Sequence, residues 1–218
     1  MSRSAKKNEA RRKQREQARL QAQAPGAKTA TETAPMRVVD APFGTCWLSE
    51  GWDDTDAPDL VGVVVTRKLA DGRVLPGFAL VDRTCLGVKE GFAGKPLSAE
   101  ELASFVARIG LPHGGMVECE PMVAQSVVFH ALDYAGKLGF EPHAEFPAEV
   151  FEPRPSELRD TPWCSPDRPL YLAGPYDDAS AVLQQLTAAV GEGNYDSGKE
   201  YLGDAHYADD VEARTPTC

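Results

Sequence analysis

Four side chains with chemistry to offer crowd into the segment LVDRTCLGVKEGF, residues 80–92: Asp82, Cys85, Lys89 and Glu90. A thiol four residues from an ammonium is a candidate low-pKa thiolate, because a nearby positive charge favours the anion that acts as nucleophile or metal ligand. Asp82 and Glu90 could instead hold a hard divalent cation through their oxygens. The plainer account makes Cys85 a small core residue with solvated charges around it. That account is favoured, since a buried structural cysteine is the commoner case.

A second group is the Glu118, Cys119, Glu120 triplet, with His130 and His143 downstream. Carboxylates and imidazoles together could bind zinc or manganese, or one histidine could serve Cys85 or Cys119 as a base. No H-x-x-x-H or H-E-x-x-H spacing is present to support a metal. The competing account has the two glutamates complementing a helix dipole, His130 on a helix surface and His143 hydrogen-bonded in a loop. A third place, LAGPYDDAS at 172–180, ends a strand and opens a helix whose free N–H groups could bind an anion. Asp177 and Asp178 already occupy that positive end, so capping is the better account. The candidates for catalysis are therefore Cys85, Asp82, Lys89 and His143, and those for a divalent metal are Asp82, Glu118 and Glu120; the pattern names no cofactor.

The elements that must position these groups are legible from periodicity and turn chemistry. Residues 60–69 and 74–82 read as a hairpin closed by Asp71-Gly72, a pair suited to the positive φ angles of a tight turn. Pro76 lacks a ladder donor, so the second strand is expected to begin as an edge. Residues 37–41 and 45–50 are further short strand candidates, and 52–59 an acidic loop. Ser98 and Glu101 form an S-x-x-E box opening a helix to Ile109, with Gly110 after it. Pro121 opens a second helix, to Leu138, that Gly139 stops. Residues 142–169 are proline-rich and irregular; 170–173 reads as a strand; Asp177 or Asp178 caps a helix to Val190, and 191–194 turns. Strands followed by helices predict one α+β domain over 36–205, a mainly antiparallel sheet with its helices packed on one face. Residues 1–35 are expected to be a disordered basic tail and linker, and 206–218 a loose acidic terminus.

Charge divides the chain sharply. Residues 1–30 hold nine Lys/Arg against two Glu, a net of +7, so the remainder of a chain with 23 basic and 33 acidic residues carries −17. An acidic body repels phosphate, which leaves Lys6, Lys7, Arg11, Arg12, Lys13, Arg15 and Arg19 as the expected contacts to RNA, ribosome or another polyanion. The five cysteines are odd in number and include no C-x-x-C, an argument against a disulfide framework or zinc ribbon. No apolar run approaches the roughly 18 residues of a membrane helix, and no apolar h-region follows the basic start. No membrane contact is expected, and the cytoplasm is the expected location.

LVDRTCLGVKEGF, LGFEPHAEF at 138–146, and AGPYDD followed by GEGNYD ending at Asp196 resemble three signatures of a bacterial protein family to which no activity is assigned. The likeness spans about residues 46–196 and omits the basic tail. It implies that Asp82, Cys85, Gly87, Lys89 and His143 matter more than their neighbours, and it implies no reaction. The expected function is a binding or regulatory module whose tail meets a polyanion and whose acidic body meets a protein partner. The alternative is a small hydrolase, cysteine-based or metal-assisted, with its site near Asp82, Cys85 and Lys89.

Overall fold

Why the 60–82 hairpin forms the centre of the fold is clear from its first strand, LVGVVVTRK, an almost unbroken apolar run rather than an alternating one. Such a run belongs to a strand covered on both faces, and in the computed structural model every residue of 61–67 is buried. The structure describes residues 37–54, 60–161 and 168–199. The expectations for 1–35 and 206–218, and for part of the acidic loop, lie outside the described residues.

Strand β2 (Leu60–Lys68) pairs with β3 (Val74–Asp82) from Leu60↔Asp82 to Lys68↔Val74. Gly72, at φ +84°, closes the turn between them. On one side β3 pairs with β4 (Gly87–Ala93); on the other, β2 pairs with β1 (Cys46–Ser49), which pairs with β5 (Met116–Cys119). The result is a fully antiparallel sheet of order β4-β3-β2-β1-β5. Helix α1 (Ala99–Gly110) carries the expected capping box: Ser98 Oγ accepts the Glu101 N–H, and the Glu101 carboxylate accepts the Ser98 N–H. Helix α2 (Pro121–Lys137) follows β5 directly, and a short α3 (Ala148–Phe151) interrupts the proline-rich stretch.

The expected α+β class holds, but the placement of all helices on one face does not. Val61, Val63, Val65, Cys46, Leu48, Ala79 and Val81 face one way and meet Ala124, Val127, Val128 and Ala131 of α2 with Val150 and Phe151 of α3. Val64, Phe78 and Trp47 alternate with them, face the other way and meet Leu102, Phe105, Val106 and Ile109 of α1. Two-sided coverage is the physical reason β2 is apolar at successive positions.

Two local expectations also change. Residues 37–41 hold a 3-10 turn, Val38–Asp40, in place of a strand; Ala41 instead offers its carbonyl to Arg67. Strand β3 is internal, and only its start behaves as the edge expected: Pro76 lies opposite Thr66 on the β2 side, while the ladder with β4 stops at Gly77↔Ala93, beside the proline that cannot donate. A smaller layer completes the domain. Strand β6 (Leu170–Ala173) and β7 (Asp196–Lys199) pair in parallel and are joined by α4 (Ala179–Val190), whose start Asp178 caps through the Ala181 N–H. Cys85, Leu138, Tyr171 and Leu186 seal this layer against the main one. Among the described residues no helix is long and apolar enough to cross a membrane.

Candidate functional site

The segment 82–89 is built around a buried carboxylate. Asp82, the last residue of β3 and only 3% exposed, accepts the Thr84 N–H (2.9 Å), the Cys85 N–H (2.9 Å) and the Thr84 hydroxyl (3.1 Å) on one oxygen. The Leu86 N–H adds to the set. Aspartate side chains that bond backbone two residues onward create such turns, and here the turn sends the chain back as β4. Burial pushes the Asp82 carboxyl above its usual range, against the pull of these donors. At the end of the turn Gly87 has φ +71°, and a Cβ there would lie 2.6 Å from the Ala135 Cβ and 3.0 Å from the Ala131 carbonyl oxygen. Glycine is what lets β4 start flush against α2.

Cys85 is fully buried. Burial drives its thiol far above the ordinary value, Asp82 adds to the rise, and Lys89 offsets only part of it. Cys85 packs in the core as the plainer account expected, but the Asp82 and Lys89 charges that account left in solvent are themselves mostly buried. Lys89 is engaged elsewhere: its Nζ lies 3.1 Å from Asp177 Oδ2, with both side chains mostly buried. The same Asp177 oxygen accepts the Gly174 N–H at 2.8 Å and the Tyr171 hydroxyl at 3.3 Å. Tyr134, close by, has its phenol pushed up to about 12 by burial, with Cys85 and Asp82 contributing. Sequence spacing offered no hint of the Lys89–Asp177 pair, since the partners stand on separate layers.

Further contacts tie the small parallel layer to the sheet and to α2. The single Thr84 hydroxyl proton is shared between Asp82 and the Leu170 carbonyl, 2.9 Å away, and the Leu170 N–H returns to the Thr84 carbonyl. Gln185 of α4 donates to the Leu138 carbonyl that ends α2, and the His143 N–H reaches the Val88 carbonyl of β4. Residues 80–92, 138–146 and 170–196 therefore act as one latch between the five-stranded sheet and the small parallel layer.

Other candidates stay apart. His143 contributes backbone to the latch while its exposed ring accepts the Glu145 N–H. Glu90 is exposed. Glu118 lies on β5, three strands from Asp82, about 14 Å at the usual strand spacing. Glu120 pairs with Arg159 at 2.6 Å. Asp82, Glu118 and Glu120 thus do not share a cation, and no group of three or more His, Cys, Asp or Glu that could hold a metal occurs among the described residues. His130 Nε2 lies 3.1 Å from the Arg159 carbonyl, on the helix surface.

Fold and latch together define an α+β domain whose small parallel layer is held to the main sheet through Thr84, Lys89 and Asp177. No family model, curated protein or solved structure matches the chain.

Proposed function

We propose that this protein is a binding module whose basic N-terminal segment contacts RNA or another polyanion, while the acidic domain serves a protein partner. The observation that carries the reading is the segregation of charge, +7 over residues 1–30 against −17 over the rest. Phosphate is drawn to the first and repelled by the second. The interior supports it further: Asp82, Cys85 and Lys89, the residues a hydrolase would need, are occupied by turn formation, core packing and a buried ion pair. A nucleophile at Cys85 would have to act from a fully buried neutral thiol, which counts against the cysteine-hydrolase alternative.

The test is fluorescence anisotropy of a labelled single-stranded RNA with the full chain and with a full chain in which Lys6, Lys7, Arg11, Arg12, Lys13, Arg15 and Arg19 are all changed to Gln. Counterion release gives a slope of log K on log salt of about −0.7 per phosphate contact, so the seven changes should flatten it by up to about 5. Equal affinity and equal slope for the two chains would overturn the reading.

A further inference from the structure

Cys46 and Cys119 stand directly opposite each other across the antiparallel pair β1 and β5. Opposed residues in such a ladder point to the same face with Cβ atoms about 4.5–5.5 Å apart. The Glu50 N–H bonds the Gly115 carbonyl four pairs along the same ladder, so by alternation Cys46 and Cys119 are a hydrogen-bonded pair with Cα atoms about 5.5 Å apart, inside the Cα range a disulfide spans, while their Cβ atoms must draw together by about 1 Å for the bond to close. Both side chains belong to the cluster under α2, and both are free thiols.

Two further features surround the pair. Cys119 sits just before the first turn of α2, where the Ala124 N–H bonds its sulfur, and a helix start favours a thiolate. On the other side lies Arg67, buried at 2% exposure on the same face of β2. Its Nε donates to the Val150 carbonyl, its Nη1 to the Ala41 carbonyl, and its guanidinium stacks 3.5 Å from the centre of the Phe43 ring. Its Nη2 is buried and has no hydrogen-bond partner among the described residues. Cys46 and Glu152 are the electrostatic neighbours of this buried cation. Burial opposes both thiolates, pushing Cys46 up to about 11 and Cys119 up to about 12. Reaction at rest is therefore slow, and the entry point is Cys119, since it is partly exposed and Cys46 is not.

We propose that Cys46 and Cys119 form a cross-strand dithiol that a small-molecule disulfide oxidises to an intramolecular disulfide, tying the outer strand β5 to β1. Cys119 Sγ, as thiolate, attacks one sulfur of the small disulfide; that S–S bond breaks, a small thiolate leaves and a mixed disulfide forms. Cys46 Sγ then attacks Cys119 Sγ and expels the second small thiolate. Two protein thiols lose two electrons, the small disulfide gains them, and the two protons from the protein thiols end on the two thiols released. Cys85 takes no part, because it belongs to the separate cluster beneath the small parallel layer.

The experiment equilibrates the full chain with oxidised and reduced glutathione in native buffer, confirms folding by circular dichroism, alkylates the remaining thiols and maps peptides by mass spectrometry. The expected product is a Cys46–Cys119 linked peptide lighter by two hydrogens, with Cys85 unlinked. In Cys46→Ala, glutathione should remain attached at Cys119; in Cys119→Ala, Cys46 should stay unmodified. Free, alkylated Cys46 and Cys119 in a folded chain exposed to oxidised glutathione alone, or a linkage that forms only in denaturant, would overturn the proposal. Mapping of the unsubstituted chain decides it even where a variant fails to fold.

Discussion

Replacing Asp82 by alanine removes the acceptor around which the β3–β4 turn is built. Two buried backbone donors, the N–H groups of Thr84 and Cys85, lose their partner, at about 1–3 kcal/mol each. The Thr84 hydroxyl keeps the Leu170 carbonyl at 2.9 Å and adds little. Relief of a buried carboxylate offsets part of the loss, which leaves a net cost of about 3 kcal/mol. Asp82→Asn keeps the one oxygen that takes these donors and places its NH2 at the other, so its cost should be about 1 kcal/mol. Urea unfolding of the full chains reads both: at a slope of about 2 kcal/mol/M, Asp82→Ala should move the midpoint down by about 1.5 M with the slope unchanged. The pH dependence has a definite sign. Burial raises the folded carboxyl above its ordinary 3.8, so its contribution is fully present below that value and is lost as pH rises through the folded one. The gap between the wild-type chain and Asp82→Asn should accordingly narrow as pH climbs out of the acid range. An alanine variant as stable as the wild type, or an asparagine variant as damaged as the alanine one, would refute the turn-organising role.

Gly87→Ala should cost about 2–4 kcal/mol, from a left-handed φ and a Cβ driven into α2, whereas Gly72→Ala, with φ +84° but open space around it, should cost about 1; paired denaturation curves separate the two. Cys85 should resist iodoacetamide at neutral pH until the chain unfolds, and rapid, selective labelling of the folded protein would restore it as a nucleophile. His113, whose ring packs over Gly62, is held below 6.5 by burial, with Glu90 opposing. Its folded form therefore binds fewer protons than its unfolded form, and stability is present above pH 6.5 and lost as pH falls through the folded value. Tm should drop less on acidification to about pH 5 in His113→Gln than in the wild type, and identical drops would contradict this.

The parts of this fold that announce themselves locally are those with a strong period or a specific cap: the Asp71-Gly72 hairpin, the Ser98/Glu101 box, the Pro121-to-Gly139 helix and the Asp178 cap. Strands β4, β5 and β7 were not legible, for a physical reason. GVKEGFA, MVEC and DSGK are short and, in β4 and β7, broken by glycine and charge, so their extended form is imposed by the ladder beside them. Two-sided coverage was written in LVGVVVTRK, whose unbroken apolar run argues against helices on one face alone. Of the candidate residues, Asp82, Cys85 and Lys89 do meet, but the role of Lys89 depends on Asp177, 88 positions away, and no spacing rule reaches that far. Arg67 gave no signal at all, since an arginine near the end of a strand reads as exposed until Ala41, α3 and Phe43 close over it.

In the function proposed, a charged segment binds and a latch holds the domain together. One titration tests both: RNA affinity against salt concentration for the full chain, the tail-neutralised full chain and a full chain carrying Lys89→Met. The account predicts that neutralising the seven tail residues flattens the salt slope by up to about 5, while Lys89→Met leaves slope and affinity unchanged and lowers only the unfolding midpoint. A Lys89→Met chain that remains folded yet loses RNA binding, beside a tail-neutralised chain that retains it, would contradict the account.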